Sequence, residues 1–326
     1  MKQLDFESKY RADWQSMSDL LDQLEGIKDK SDDFQVLAAS FPKRYRQLCQ
    51  QLSIAETRQY SPMLTDDLHQ LTLRGHRYLY QQKSNLAASF FKFLAKDFPI
   101  ALRQQWRFWL FSSLLFYVPA LFMGIGCYLD SEFIFSLMDY NSVKDMEFMY
   151  DPNNDHLGRT EERKADSDFM MFGYYIMNNV GIDFKTYASG IVFGLGSVFF
   201  MVFNGLSIGG VAGHLTQKGY TDTFWPFVSG HSALELTAAT IAGAAGLMLG
   251  RAVINPQNHT RLLALRKAGI ESFPLISGAA IMTFLAAFIE GFWSATPGVP
   301  HWVKYSIGIS SWIAVFTYLL FAGRSK

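Results

Sequence analysis

Residues 109 to 129, WLFSSLLFYVPALFMGIGCYL, carry no charged side chain and are long enough to cross roughly 30 Å of hydrocarbon. Further apolar stretches follow at 187–213, 224–250, 273–294 and 301–323, while charge is dense before residue 108 and between 130 and 168. The chain-wide balance of 29 Lys+Arg against 29 Asp+Glu conceals this division and gives no ground for a nucleic-acid partner. Inside a bilayer every backbone polar group needs an internal partner, so such segments are expected to be helices. The fold class expected is therefore all-α. A cytosolic helical bundle, residues 1–98, precedes a polytopic transmembrane domain, residues 99–326, embedded in the lipid bilayer.

The amino-terminal part supports that division. Phe6, Tyr10, Trp14, Met17, Leu21 and Leu24 recur at steps of three or four and draw one apolar stripe along a helix that Gly26 can end. A second stripe, entered near Pro42, runs through Tyr45, Leu48, Leu52 and Ala55; a third, after Ser61-Pro62, runs through Leu64, Leu68, Leu71 and Leu79. Aromatic residues in these stripes read as core. The opening MKQLDFESKYRADW has no apolar core behind its charges, so no signal peptide is expected and this end should stay in the cytosol.

Lys92, Lys96, Arg103 and Arg107 flank the leading end of the first apolar run, which places that end in the cytoplasm. The expected location is thus the bacterial cytoplasmic (inner) membrane, with several passes. Residues 130 to about 172 then form an extracytoplasmic loop. Its first part, 130–168, has eleven acidic and four basic residues, and the amphipathic ends EFIFSLM and FMMFGYYIM suit a membrane surface. Five simple crossings would leave Arg251, Arg261, Arg266 and Lys267 outside, against the positive-inside rule. A re-entrant or broken helix near His231, or an extra turn hidden within 187–250, would return that loop and Arg324 to the cytoplasm. Pro226, Ser229 and Gly230 make a break there plausible.

His231 and Glu235 stand four apart in SGHSALELTAA and share a helix face; Glu290 lies in FLAAFIEGFWSATP. An ionised carboxylate at mid-bilayer costs on the order of 2.5 to 3.5 kcal/mol on insertion scales, so these groups need partners. One reading is a divalent-metal or proton site built from all three; the other is a buried His-Glu hydrogen bond that fixes helix docking. Asn178, Asn179 and Asn204 read as capping or interhelical amides. Gly190 and Gly194, like Gly205, Gly209 and Gly213, are spaced to line one helix face for close packing, with Asn204-Gly205 as the alternative hinge.

Other chemistry finds little support. No HExxH, G-x-S-x-G, P-loop or dinucleotide fingerprint occurs, so no catalytic residue is assigned. Cys49 and Cys127 are isolated thiols. Asp151, Asn153, Asp155 and Glu162 occupy positions 1, 3, 5 and 12 of an EF-hand register, but Pro152 and His156 spoil it, and a solvated loop is expected instead.

The order of FPKRYRQL (Tyr45, Arg46), LRGHRYLYQ (Gly75, His76, Tyr80), MNNV, VFNGLSIGG, GHSALELTAATIAGAAGLMLG and IEGFWSATP (Glu290, Pro297) resembles the stage II sporulation protein M family, nearly end to end. The resemblance implies a membrane anchor or scaffold of unknown detailed function that assembles envelope or cytosolic protein partners, with members in non-sporulating organisms beside MoxR-type ATPases and von Willebrand factor A domain proteins. It brings no established catalytic residues. The functional expectation is accordingly a scaffold working outside sporulation, with homo-oligomer packing through the glycine-rich helices. The alternative is a membrane-embedded transporter or metal-dependent enzyme using His231, Glu235 and Glu290.

Overall fold

The computed structural model of the chain describes residues 2–26, 32–80, 86–153, 165–294, 296 and 298–324. Among them the secondary structure is helical throughout, without strands. Two compact units divide at Met1–Ser89 and Phe90–Lys326, a few residues before the boundary read from the sequence.

In the first unit, α1 (Gln3–Gly26), α2 (Asp32–Thr57) and α3 (Pro62–Tyr80) bury their apolar stripes, apart from Leu79, whose side chain lies outside the described residues, in one core centred on Phe6, Met17, Leu21, Leu48 and Leu68. Phe6 packs against the rings of Tyr10, Trp14 and Tyr60. The Trp14 Nε1 donates to Gln51 Oε1 at 2.7 Å, which satisfies an indole N–H at the core edge. Pro42 lies inside α2 rather than at its entry.

The boundary falls within α4 (Leu86–Lys92); a π-helical turn (Phe93–Asp97), α5 (Phe98–Gln104) and α6 (Trp106–Leu129) follow in the second unit. On the far side of α6 stands α7 (Tyr140–Tyr150), followed by α8 (Ala165–Tyr175), a second π turn (Ile176–Val180) and α9 (Gly181–Ser189). The remainder is α10 (Leu195–Gln217), α11 (Thr221–Ser229), α12 (Ser232–Ile254), α13 (Arg261–Ile289), a third π turn (Glu290–Ser294) and α14 (His301–Phe321). Among the described residues, five helical stretches are long and apolar enough to cross a membrane: α6, α10, α12, α13 with its π turn, and α14.

Their directions follow from the side-by-side residues. Gly205, Gly209 and Gly213 of α10 lie against the carbonyls of Phe116, Ala120 and Gly124 of α6, so the numbers rise together and the two helices are parallel. The chain must therefore travel back between them. The run α8, π turn and α9 makes that return, pairing antiparallel with α13 through Phe172 with Phe292, Asp183 with Thr283 and Tyr187 with Ser272. The stretch 187–213, expected as one segment, is thus interrupted: α9 ends at Ser189, and α10 starts after a turn closed by Gly194 at φ +77°. Apolar composition gave no sign of this turn because residues 187–213 carry no charged side chain on either side of it. Likewise, the expected outer loop to residue 172 already contains the start of α8.

Ser197 and Gly194 of α10 face Gly246 and Gly250 of α12, so α12 runs back again, and α13 and α14 complete the alternation. The break near His231 is real: α11 stops at Ser229, and α12 is a full 23-residue helix with His231 at its N-cap. With six traverses, the leading end of α6, the start of α13 and the end of α14 lie at one face. There Arg103 donates to the carbonyls of Leu319 and Ala322 at 2.8 and 2.7 Å, and Arg251 lies 5.7 Å from the Phe108 ring centroid. At the opposite face α7 covers Met123, Cys127 and Leu215 with Val143 and Met146.

Candidate functional site

Apart from Glu235, which lies in the first turn of α12, the residues of the site sit where regular α-helix is interrupted. His231 follows the break between α11 and α12; Glu290 and Ser294 open and close the π turn after α13; Asn179 belongs to the π turn after α8. A π turn shifts the side chains that follow it around the helix axis, and such turns recur at functional sites. Here three irregular segments aim polar groups at one point.

One ligand atom each from His231, Glu235 and Glu290 comes within 4.8 Å of the others. The His231 Nε2 is 3.8 Å from Glu235 Oε2, beyond hydrogen-bond length. The other ring nitrogen, Nδ1, pairs with Ser294 Oγ at 2.9 Å. Asn179 Nδ2 donates to Glu235 Oε1 at 3.0 Å, itself receiving Asn178 Nδ2 on its Oδ1 at 2.8 Å. His231 and Glu290 keep only 5% and 9% of their accessible surface, and Glu235 is half-buried. Two carboxylates this close in apolar surroundings repel unless a cation or proton lies between them. Tetrahedral zinc would separate its N and O ligands by roughly 3.4 Å, so small side-chain rotations close the set around an ion.

Two further polar groups surround this cluster. Lys304 is buried and donates from Nζ to the Ser294 carbonyl at 2.6 Å, with Trp293 beneath it at 6.0 Å. Asp183, also buried, accepts from Thr283 Oγ1 at 2.5 Å. Sequence reasoning missed Ser294, Lys304 and Asp183. A lysine within HWVKYSIGISSW and an aspartate next to an apolar run were visible signals; Ser294 had none, because serine in a helix has many innocent uses.

The other residues singled out from sequence lie elsewhere. Asn204 donates to the Phe200 carbonyl at 2.7 Å within α10, which is continuous through Asn204-Gly205. Gly205 and Gly209 provide the contact with α6. Asp151 accepts from the Asn153 backbone at 2.9 Å in a local turn, whereas Asp155 and Glu162 fall outside the described residues, as does Pro297.

The family model for stage II sporulation protein M matches residues 109–295, more than half the chain and all three residues of the cluster. The chain belongs to the stage II sporulation protein M family. The amino-terminal residues 4–81 match a separate domain of unknown function. No curated protein and no solved structure matches the chain. As a member of the stage II sporulation protein M family with five long apolar helices, the chain is a multi-pass membrane protein.

Proposed function

We propose that the chain is a protein of the bacterial cytoplasmic membrane, amino terminus in the cytosol, whose membrane domain works through a divalent metal ion bound by His231, Glu235 and Glu290. The observation that carries this reading is the approach of the three ligand atoms to within 4.8 Å of one another. Three protein ligands leave one position of a tetrahedral ion open, the pattern of catalytic rather than structural sites. Through that position a bound ion supplies Lewis acidity or an activated water. The arrangement of His231 supports the role: Nδ1 is engaged by a hydroxyl, which leaves Nε2 directed at the carboxylates. Arginines on one face of the helical unit support the sidedness.

The test is zinc titration of the purified, metal-stripped protein, with Glu290→Gln and His231→Ala beside it and circular dichroism to check folding. The native chain should take up zinc stoichiometrically and both variants should lose that uptake. Equal uptake by folded Glu290→Gln would refute the site.

A second reading is favoured by a separate observation: Met1–Ser89 forms a unit with its own core. In this reading the chain is an anchor or scaffold, a homo-oligomer in the membrane that recruits envelope or cytosolic partners through that unit. It predicts loss of function on deleting residues 1–89 and full function in Glu290→Gln. The metal reading predicts failure of Glu290→Gln.

A further inference from the structure

A groove of about 950 Å³ runs down the side of the helical unit to His231 and Glu235. Its walls come from the trailing ends of α6 and α10, the leading ends of α12 and α14, α11 between them, and Met138 just before α7. These are the ends opposite the arginine-rich face. Leu121, Ile125 and Ile309, on its rim, are 65%, 58% and 63% exposed. Apolar side chains so exposed on membrane-crossing helices face acyl chains rather than water. Most of its lining side chains are apolar; Ser229, Ser232 and Tyr305 line it together with His231 and Glu235, and Tyr117, Tyr128, Ser207 and Thr216 add further hydroxyls.

From this placement we propose that the groove binds a single lipid of the leaflet opposite the arginine-rich face, with its chains along α6 and α14 and a phosphate head group at the His231–Glu235–Glu290 site. The inference rests on the metal reading given above. The chemistry of the two ends decides the class of ligand. A long apolar trough takes hydrocarbon, and its size lies at the upper end of ligand pockets. A hard or borderline divalent ion with one open position takes an oxygen donor, and phosphate oxygens are well suited to it. A ligand apolar along most of its length with one anionic oxygen group at the end is a phosphate-headed lipid. A soluble metabolite lacks the first part, and a peptide helix would bury the rim without reaching Glu290 behind it.

Lipid retention measured by native mass spectrometry on the full-length protein separates the possibilities. The probes are a long-chain phosphatidic acid, the diacylglycerol with the same chains, and inorganic phosphate, each with and without zinc. The native chain should retain the phosphatidic acid at least tenfold better than the diacylglycerol when zinc is present, and lose that preference when zinc is removed. Ile309→Trp, which fills the groove from its rim, should abolish retention of both lipids while zinc content stays at the native level. Zinc uptake with no head-group preference would overturn the lipid proposal and leave the metal reading standing. Absence of zinc uptake would overturn both. Phosphate binding as tight as that of the lipid, or dimerisation that Ile309→Trp abolishes without any lipid retained, would assign the groove to a free anion or to a second copy and overturn the proposal.

Discussion

The Nδ1 of His231 lies 2.9 Å from the Ser294 hydroxyl, although 63 residues separate the two in sequence. That contact ties the N-cap of α12 to the last residue of the π turn after α13, and it leaves the other imidazole nitrogen for the carboxylates. One bond holds the ring in position and occupies Nδ1.

Ser294→Ala should therefore weaken zinc binding by about 10- to 100-fold, the range found when an outer partner of a metal-bound histidine is lost. The fold should survive, since removing one hydroxyl leaves no large void. Zinc titration and a thermal melt in detergent measure the two effects separately; unchanged affinity would mean that Nδ1 is not held by this hydroxyl.

The parallel pair α6 and α10 depends on the absence of side chains. A Cβ at Gly209 would overlap the Ala120 carbonyl, so Gly209→Val should destabilise the membrane unit by about 1–3 kcal/mol, the usual cost of overpacking. Gly181→Ala provides the control, because a Cβ there meets nothing within 4 Å. The first variant should melt earlier than the native chain and the second should not.

The six-traverse path predicts opposite membrane faces for two exposed loop residues. In a background without Cys49, Asn258→Cys, in the connection between α12 and α13, should react with an impermeant maleimide from the cytosolic side. Asn153→Cys, between α7 and α8, should react from the other side. Labelling of both from one side would restore the five-crossing count.

Glu147 on α7 supplies a pH dependence at the far face. Burial raises its pKa, but hydrogen bonds from His214 and Lys218 and their positive charge outweigh that and hold the carboxyl below its usual range. A carboxyl lowered in the folded state stabilises fully above its unfolded value, near 4.3, and loses that contribution as pH falls through the folded value. Native protein should then melt above Glu147→Gln at neutral pH, and the two melting curves should converge in acid. A constant gap down to pH 3 or so would assign the difference to packing instead.

Much of the architecture was legible because lipid imposes a simple rule: a long apolar run must be a helix. Residues 109–129 alone established the membrane class, and the stripe from Phe6 to Leu24 located the first helix of the separate bundle. The basic loop after α12 also sat poorly with a count of five crossings. Where the missing traverse lay was not legible. The polar MNNVGIDFK sequence lowers the apolarity of α8 to α9 below that of its neighbours, and the turn at 190–194 is hidden in a continuous apolar run.

The site divides in the same way. Sequence by itself determined that His231 and Glu235 share a helix face and that Glu290 needs a partner inside the membrane, because spacing and the energy of a buried charge are local properties. Only the tertiary structure decided that the three residues meet, that Ser294 holds His231 and Asn179 holds Glu235, and that the groove reaches His231 and Glu235. Those facts depend on two π turns and one helix break, which rotate side chains by amounts set by packing between distant helices and not by the residues that carry them.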